Sequence, residues 1–204
     1  MFSVIIQAGG KSSRMGTDKL FIPFRGQILI EWVIGRLANL TDDLIIISNQ
    51  PEKLKYLDQA VYPDAITGIG PLAGLYTGLK HARYDSVVMV ACDMPFINSS
   101  LLKEEIRLLD EMQVDVVIPA LGGKTEPLHA AYRRETCLPV IEAGIRSGMR
   151  RLIEWHPLVR VLTMEDSEIH KYDPAGLAFM NINNPADALL AEQVDLEGDN
   201  HDHL

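Results

Sequence analysis

Cysteine is scarce in this chain of 204 residues: only Cys92 and Cys137 are present. They stand in unlike contexts, so no disulfide framework is expected, and reduced thiols in the cytoplasm are the simplest reading. Long apolar runs are also missing. Nothing approaches the roughly 18 uninterrupted apolar residues of a membrane span, so no membrane partner is expected. The start lacks a basic region ahead of its first apolar run, so no signal peptide is expected. Positive charge is in deficit: 19 Lys and Arg stand against 28 Asp and Glu, a net −9. That balance argues against nucleic acid as a partner. Glu192, Asp195, Glu197, Asp199 and Asp202 carry −5 of it, leaving −4 for the rest. A phosphorylated substrate must then be drawn by a local cluster of cations, not by the field of the whole chain.

The chain has no repeat, linker or low-complexity block. With 47% hydrophobic residues it can fill one sizeable core. A single domain over residues 1–194 is expected, followed by an acidic tail at 195–204, rich in structure breakers and expected to be disordered. The tail's Asn200-His-Asp-His203 is read as part of that segment, not as a metal site.

Apolar runs and helical spacings alternate. Val4–Ile6, Leu44–Ile47, Val87–Ala91 and Asp115–Ile118 read as strands buried on both faces. Ala60–Tyr62, Glu126–Tyr132, Val159–Leu162 and a segment opening at Ala178 read as further strands. Helices are expected over Ile28–Ala38, Ala73–Arg83, a segment capped by Ser99, residues 135–155 with breaks at Gly144 and Gly148, and a last helix opened by Pro185. Glu52–Leu57 reads as a short helix. This alternation predicts an α/β fold with a mostly parallel, Rossmann-like sheet in a three-layer α/β/α arrangement. Ligands on such sheets lie beyond the carboxyl ends of the strands.

The chemistry-bearing residues fall there. Val4–Ile6 runs through Gln7 into Ala8-Gly9-Gly10, where a backbone with little side chain can lie close to a ligand. Lys11, Arg14 and Lys19 follow. Backbone amides with nearby cations make a phosphate site; Arg14 can fork two oxygens and Lys19 acts as a point charge. Asp93 stands at the mouth of the strongest strand, in Cys92-Asp93-Met94-Pro95. A single carboxylate is what Mg²⁺ often takes when phosphates and waters supply its other oxygens. Cys92 reads as a small core residue. Gly68-Ile-Gly-Pro-Leu-Ala73 matches the dinucleotide pattern Gly-x-Gly-x-x-Ala. The preceding strand is too short for that motif, however, and Pro71 removes an amide that a pyrophosphate would need. Asn49, read without other information, is an ordinary turn former after a strand.

The string Ala8-Gly-Gly-Lys-Ser-Ser-Arg-Met-Gly-Thr-Asp-Lys19 resembles the opening motif of the sugar-nucleotide-type nucleotidyltransferases, and more narrowly of the molybdenum cofactor guanylyltransferases. Gln7 departs from the apolar residue usual there. Cys92-Asp93-Met94-Pro95, Gly70-Pro-Leu-Ala-Gly74 and Asn181-Ile-Asn183-Asn184-Pro185 resemble other motifs of that family, with Asn184 where a Thr is usual. The resemblance implies a fold of the nucleotide-diphospho-sugar transferase type. It also implies transfer of GMP from GTP to the phosphate of molybdopterin, with release of pyrophosphate. Arg14, Lys19 and Asp93 would carry the reaction, with Mg²⁺ on Asp93. Gln7, Ala8, Gly9, Gly10, Asn49, Asp64, Gly70 and Pro71 would hold the nucleotide, and Asn181 and Asn183 the pterin. His129 and Arg133 lie in a segment resembling the family's Pro-x-x-Ala block. Contact with other molybdenum-cofactor proteins is compatible with this reading. The alternatives are a molybdopterin cytidylyltransferase or another nucleotidyltransferase, and an idle nucleotide-binding module that delivers molybdopterin.

Overall fold

The computed structural model describes residues 1–9 and 19–194. Gly10, Lys11 and Arg14, and the acidic tail 195–204, lie outside the described residues. Strand β1 (Ser3–Gln7) sends Val4 and Ile6 to one face and Ile5 to the other, all fully buried. A strand apolar on both faces needs covering on both. Helices α1 (Leu29–Leu37) and α3 (Ser99–Glu111) pack on the Val4 face, through Val33, Leu37, Leu101 and Leu109. Helices α2 (Pro71–His81) and α4 (Arg134–Arg146) pack on the Ile5 face, through Leu72, Leu75, Leu79 and Ile141. The three-layer α/β/α arrangement expected from the alternating runs is the one observed.

The other strands are the hairpin β2 (Pro23–Phe24) and β3 (Gln27–Ile28), then β4 (Leu44–Ile47), β5 (Ala60–Tyr62), β6 (Ser86–Ala91), β7 (Val116–Leu121), β8 (Lys124–Thr125), β9 (His129–Arg133) and β10 (Val161–Met164). The main sheet runs in the order β10-β7-β9-β6-β1-β4-β5, with β8 folded back on β7. β1 is parallel to β4 and β6, β4 to β5, and β7 to β10. β9 alone in this path is reversed, inserted antiparallel between β6 and β7. Its first residue, His129, therefore lies opposite Val90, near the carboxyl end of β6.

Helix α2 rides close on β1. A Cβ at Gly78 would lie 2.4–2.8 Å from three atoms of Ile5, and one at Gly74 only 1.5 Å from Oε1 of Gln7. Gly74 and Gly78 are one helical turn apart and share the face turned to the strand. Two short elements complete the fold, α5 (Asp166–Ile169) and α6 (Pro185–Glu192). A third core of Ile22, Phe24, Leu29, Phe96, Ile182, Ala188 and Ala191 clasps α6 against the hairpin. Arg25 reinforces it. Its guanidinium lies 5.4–5.7 Å from the rings of Phe24, Trp32 and Phe96, and it donates to the carbonyl of Val194.

Four local expectations are corrected. Helix α3 is capped by Asn98, whose side chain accepts from the amides of Ser100 and Leu101, and not by Ser99. The strand expected from Ala178 is absent: Leu177–Phe179 forms a 3-10 turn. The apolar run Leu177–Met180 imitates a strand, but the buried Asp173 carboxylate takes the amides of Leu177 and Ala178 and curls the chain instead. Helix α4 runs through Gly144 without a break and gives way before Gly148, whose φ of +102° suits glycine. The short helix expected at Glu52–Leu57 is a 3-10 turn over Pro51–Leu54.

Candidate active site

The ends of three neighbouring strands are pinned to one another by backbone bonds. The Ala8 amide donates to the Ile47 carbonyl at 2.8 Å, and the Cys92 amide to the Gln7 carbonyl at 3.1 Å. A fourth segment is tied to the same edge, because the Ile182 amide donates to the Asp93 carbonyl at 2.8 Å. Residues far apart in sequence thus meet along the carboxyl edge of the sheet, as the alternating pattern predicts.

At the centre lies Lys19. Its Nζ stands 3.4 Å from Oδ2 of Asp93 and donates to Oδ1 of Asn183 at 2.5 Å. The side chains of Lys19 and Asp93 are 28% and 20% exposed, so water screens this pair only partly. Asn183 is itself fixed, its amide donating to the Asp187 carboxylate at 2.7 Å. Asn184 caps α6 by accepting from the amides of Ala186 and Asp187. The Asn-Asn-Pro stretch is therefore a helix start as well as a neighbour of Lys19. Asn181 is exposed, and its side chain donates to the Phe179 carbonyl.

A second group lies beside β4 and β5. Asn49 donates to Oδ2 of Asp64 at 2.7 Å and accepts from the Asp64 amide at 3.2 Å. Burial raises the Asp64 carboxyl above its usual range, and the bond from Asn49 partly offsets this. Among the described residues, Oδ1 of Asp64 is buried without a partner, as is Oε1 of Gln7. Both residues adjoin α2: Gln7 lies under Gly74, and the Ala65 amide donates to Oγ1 of Thr77. Gly70 precedes that helix with φ +61° and ψ −147°, a conformation that side chains disfavour, and Pro71 takes the first helical position.

One buried cluster was not singled out in the sequence. Nδ1 of His129 bonds Oε1 of Glu105 at 2.9 Å, and both side chains are fully buried. Burial raises the Glu105 carboxyl, opposed in part by His129. The signal was present in α3, where Glu105 interrupts the stripe of Leu101 and Leu109 at four-residue spacing. His129 therefore belongs to the core between α3 and β9. Arg133 is likewise structural, bonding the Leu109 and Val114 carbonyls and the Asp85 carboxylate. Cys92 and Cys137 are buried thiols outside any disulfide; burial pushes Cys137 up to about 12.

A mostly parallel α/β sheet carries a lysine and a carboxylate that meet at its carboxyl edge, where folds of this class bind their ligands. Comparison with known sequences narrows the class: the MobA-like NTP transferase domain matches residues 4–161, and the chain belongs to that family. It is similar to the "Probable molybdenum cofactor guanylyltransferase" of Natranaerobius thermophilus, 35% identical over 91% of this chain and 92% of that one. It is also similar to the molybdenum cofactor guanylyltransferase of Syntrophotalea carbinolica, 32% identical over 91% and 88%. Among solved structures, molybdopterin-guanine dinucleotide biosynthesis protein A of Archaeoglobus fulgidus superposes with a TM-score of 0.82. It is 28% identical, with 94% of this chain and 97% of that one covered.

Proposed function

We propose that this chain transfers GMP from GTP to the phosphate of molybdopterin. A terminal phosphate oxygen of the pterin would attack the α-phosphorus. The bond from that phosphorus to the oxygen bridging it to the β-phosphate would break, and pyrophosphate would leave with the electron pair. The observation that carries this reading is the meeting of Lys19 with Asp93 across 74 residues of sequence, at the strand edge of a family fold.

The attacking phosphate is largely ionised near neutral pH, so no side chain need remove a proton. The protein's task is to hold two anions in line and to neutralise charge on the leaving group. Lys19 would serve the triphosphate, with the backbone at Gly9. Gly10 and Arg14, outside the described residues, would complete this phosphate side. Gln7, Ala8, Asn49, Asp64, Gly70 and Pro71 would form the nucleoside side. A partnerless buried acceptor on Asp64 supports that assignment, because guanine and ribose bring N–H and O–H donors. Asn181 and Asn183 would face the acceptor.

The donor set at the edge fits Mg²⁺. Among the described residues no three His, Cys, Asp or Glu side chains gather as a metal cage, and Asp93 offers one hard carboxylate. That suits an ion that takes most of its oxygens from phosphate and water. Bound there through Asp93, Mg²⁺ would supply charge neutralisation at the phosphates. No described helix is long and apolar enough to cross a membrane.

The test is pyrophosphate release from GTP, CTP, ATP and UTP with molybdopterin and Mg²⁺, with the product identified by mass. Release with GTP alone and a guanine dinucleotide product are expected. Release with CTP alone would replace this reading by the cytidylyl one, and release with none would leave a delivery module.

A further inference from the structure

Lys19 does more in this structure than wait for phosphate. Its ammonium is held between the carboxylate at the end of β6 and the carboxamide ahead of α6, at 3.4 and 2.5 Å. We propose that Lys19 is the resident cation of the site when no nucleotide is bound, and that a divalent metal reaches Asp93 only with a nucleotide that draws Lys19 away. The inference rests on the reading of Asp93 as the metal carboxylate.

Two physical arguments converge. The first is charge: a divalent ion on Asp93 would sit within a few ångströms of the ammonium, in surroundings where water screens only partly. One carboxylate cannot neutralise both cations. The second is ligand supply. No cluster of three metal-ligating side chains is present among the described residues, so these residues by themselves hold a free metal weakly. A triphosphate removes both obstacles. It offers the ammonium more negative charge than one carboxylate does, and it brings the metal its missing oxygens. Metal and nucleotide then bind as coupled ligands, each raising the affinity for the other by the same factor. Departure of Lys19 also frees the Asn183 carboxamide, while the Asp187 carboxylate continues to hold that residue through its backbone amide. Nucleotide before acceptor is therefore the natural binding order.

The experiment is direct metal binding on the full chain, read as the loss of the free Mn²⁺ resonance signal beyond the loss that the nucleotide causes without protein. Wild type, Lys19→Met, Lys19→Arg, Asn183→Ala and Asp93→Asn are compared with and without a GTP analogue carrying a methylene bridge between its α and β phosphates. Without nucleotide, Lys19→Met should bind Mn²⁺ about tenfold tighter than wild type, the scale on which close charge pairs alter affinity. Lys19→Arg, which keeps the cation, should remain near wild type. Asn183→Ala, which loosens the ammonium without removing it, should fall between. The analogue should raise Mn²⁺ affinity in wild type, and about tenfold less in Lys19→Met. Nucleotide-free Lys19→Met binding Mn²⁺ no tighter than wild type would overturn the exchange. Asp93→Asn separates the two levels of the reading. If it loses Mn²⁺ binding in the presence of the analogue while Lys19→Met is unchanged, only the exchange fails. If it keeps that binding, Asp93 is not the metal carboxylate and both fail.

Discussion

The contact of α2 with β1 makes a demanding prediction at Gly78. Alanine there would place its methyl carbon 2.4 Å from Cδ1 of Ile5 and 2.8 Å from both γ carbons. Ile5 is fully buried in a central strand, and its two γ carbons leave no χ1 rotamer that clears the space. Helix and strand must therefore separate. Overpacking of this kind costs about 1–3 kcal/mol. Replacing a helical glycine by alanine returns roughly 1 kcal/mol through helix propensity. The expected net loss is about 0–2 kcal/mol, or up to about 8 °C in Tm at 2–4 °C per kcal/mol for this length. Thermal and urea unfolding would measure it. A double-mutant cycle identifies the cause: Ile5→Ala should cost about 1 kcal/mol less in the Gly78→Ala background than in wild type. Ile5→Val removes Cδ1, the nearest atom, but keeps both γ carbons at 2.8 Å, so it should rescue less than Ile5→Ala. Gly78→Ala above the wild-type Tm, or a cycle without coupling, would refute the reasoning. The site should register the change as well, because α2 begins at Pro71 and Gln7 lies two residues beyond Ile5. A weaker GTP thermal shift in Gly78→Ala is expected.

Asp93→Asn should lower pyrophosphate release from GTP by about a hundredfold or more, as loss of one charge-stabilising group does, with far-UV circular dichroism unchanged. Glu105→Ala should cost about 1–3 kcal/mol by leaving buried Nδ1 of His129 without its hydrogen-bond partner, and replacing both residues by leucine should recover most of it in urea unfolding. Glu105 also sets a pH dependence. Its folded pKa is raised by burial, so its stabilisation is full below the unfolded value of about 4.5 and is lost as pH rises through the folded value. Glu105→Gln should flatten that decline in urea midpoints taken upward from pH 4. Asn184→Ala should cost about 1 kcal/mol through the lost cap on α6, read by thermal unfolding, and should raise the KM for the acceptor by disturbing Asn183.

Much of this protein was legible in the order of its residues, because local signals and tertiary demands agree. Val87–Ala91 is too apolar to be anything but a doubly covered strand, and Asp93 two residues beyond it had to fall at a strand mouth. Pro185 opened a helix because its missing amide costs nothing there. Other features were written in the chain but not recognised. Arg25 and Gly26, with φ of +48° and +80°, make the two-residue turn of a hairpin that holds α6. At Ala178–Asn183 the local pattern misled, since the apolar segment that suggests a strand was overruled by Asp173.

By itself, then, the sequence determined the strand and helix runs, the layered α/β class, and the family signature that brought Lys19, Asp93 and Asn183 to notice. Only the tertiary structure decided that β9 enters the sheet reversed. It also decided that Gly74 and Gly78 serve the approach of a helix to a strand, and that Glu105 is buried against His129. It alone placed one ammonium on both Asp93 and Asn183. The physical reason is range. Periodicity and capping act over a few neighbouring residues, whereas a contact across 74 or 164 positions exists only once packing has fixed both ends.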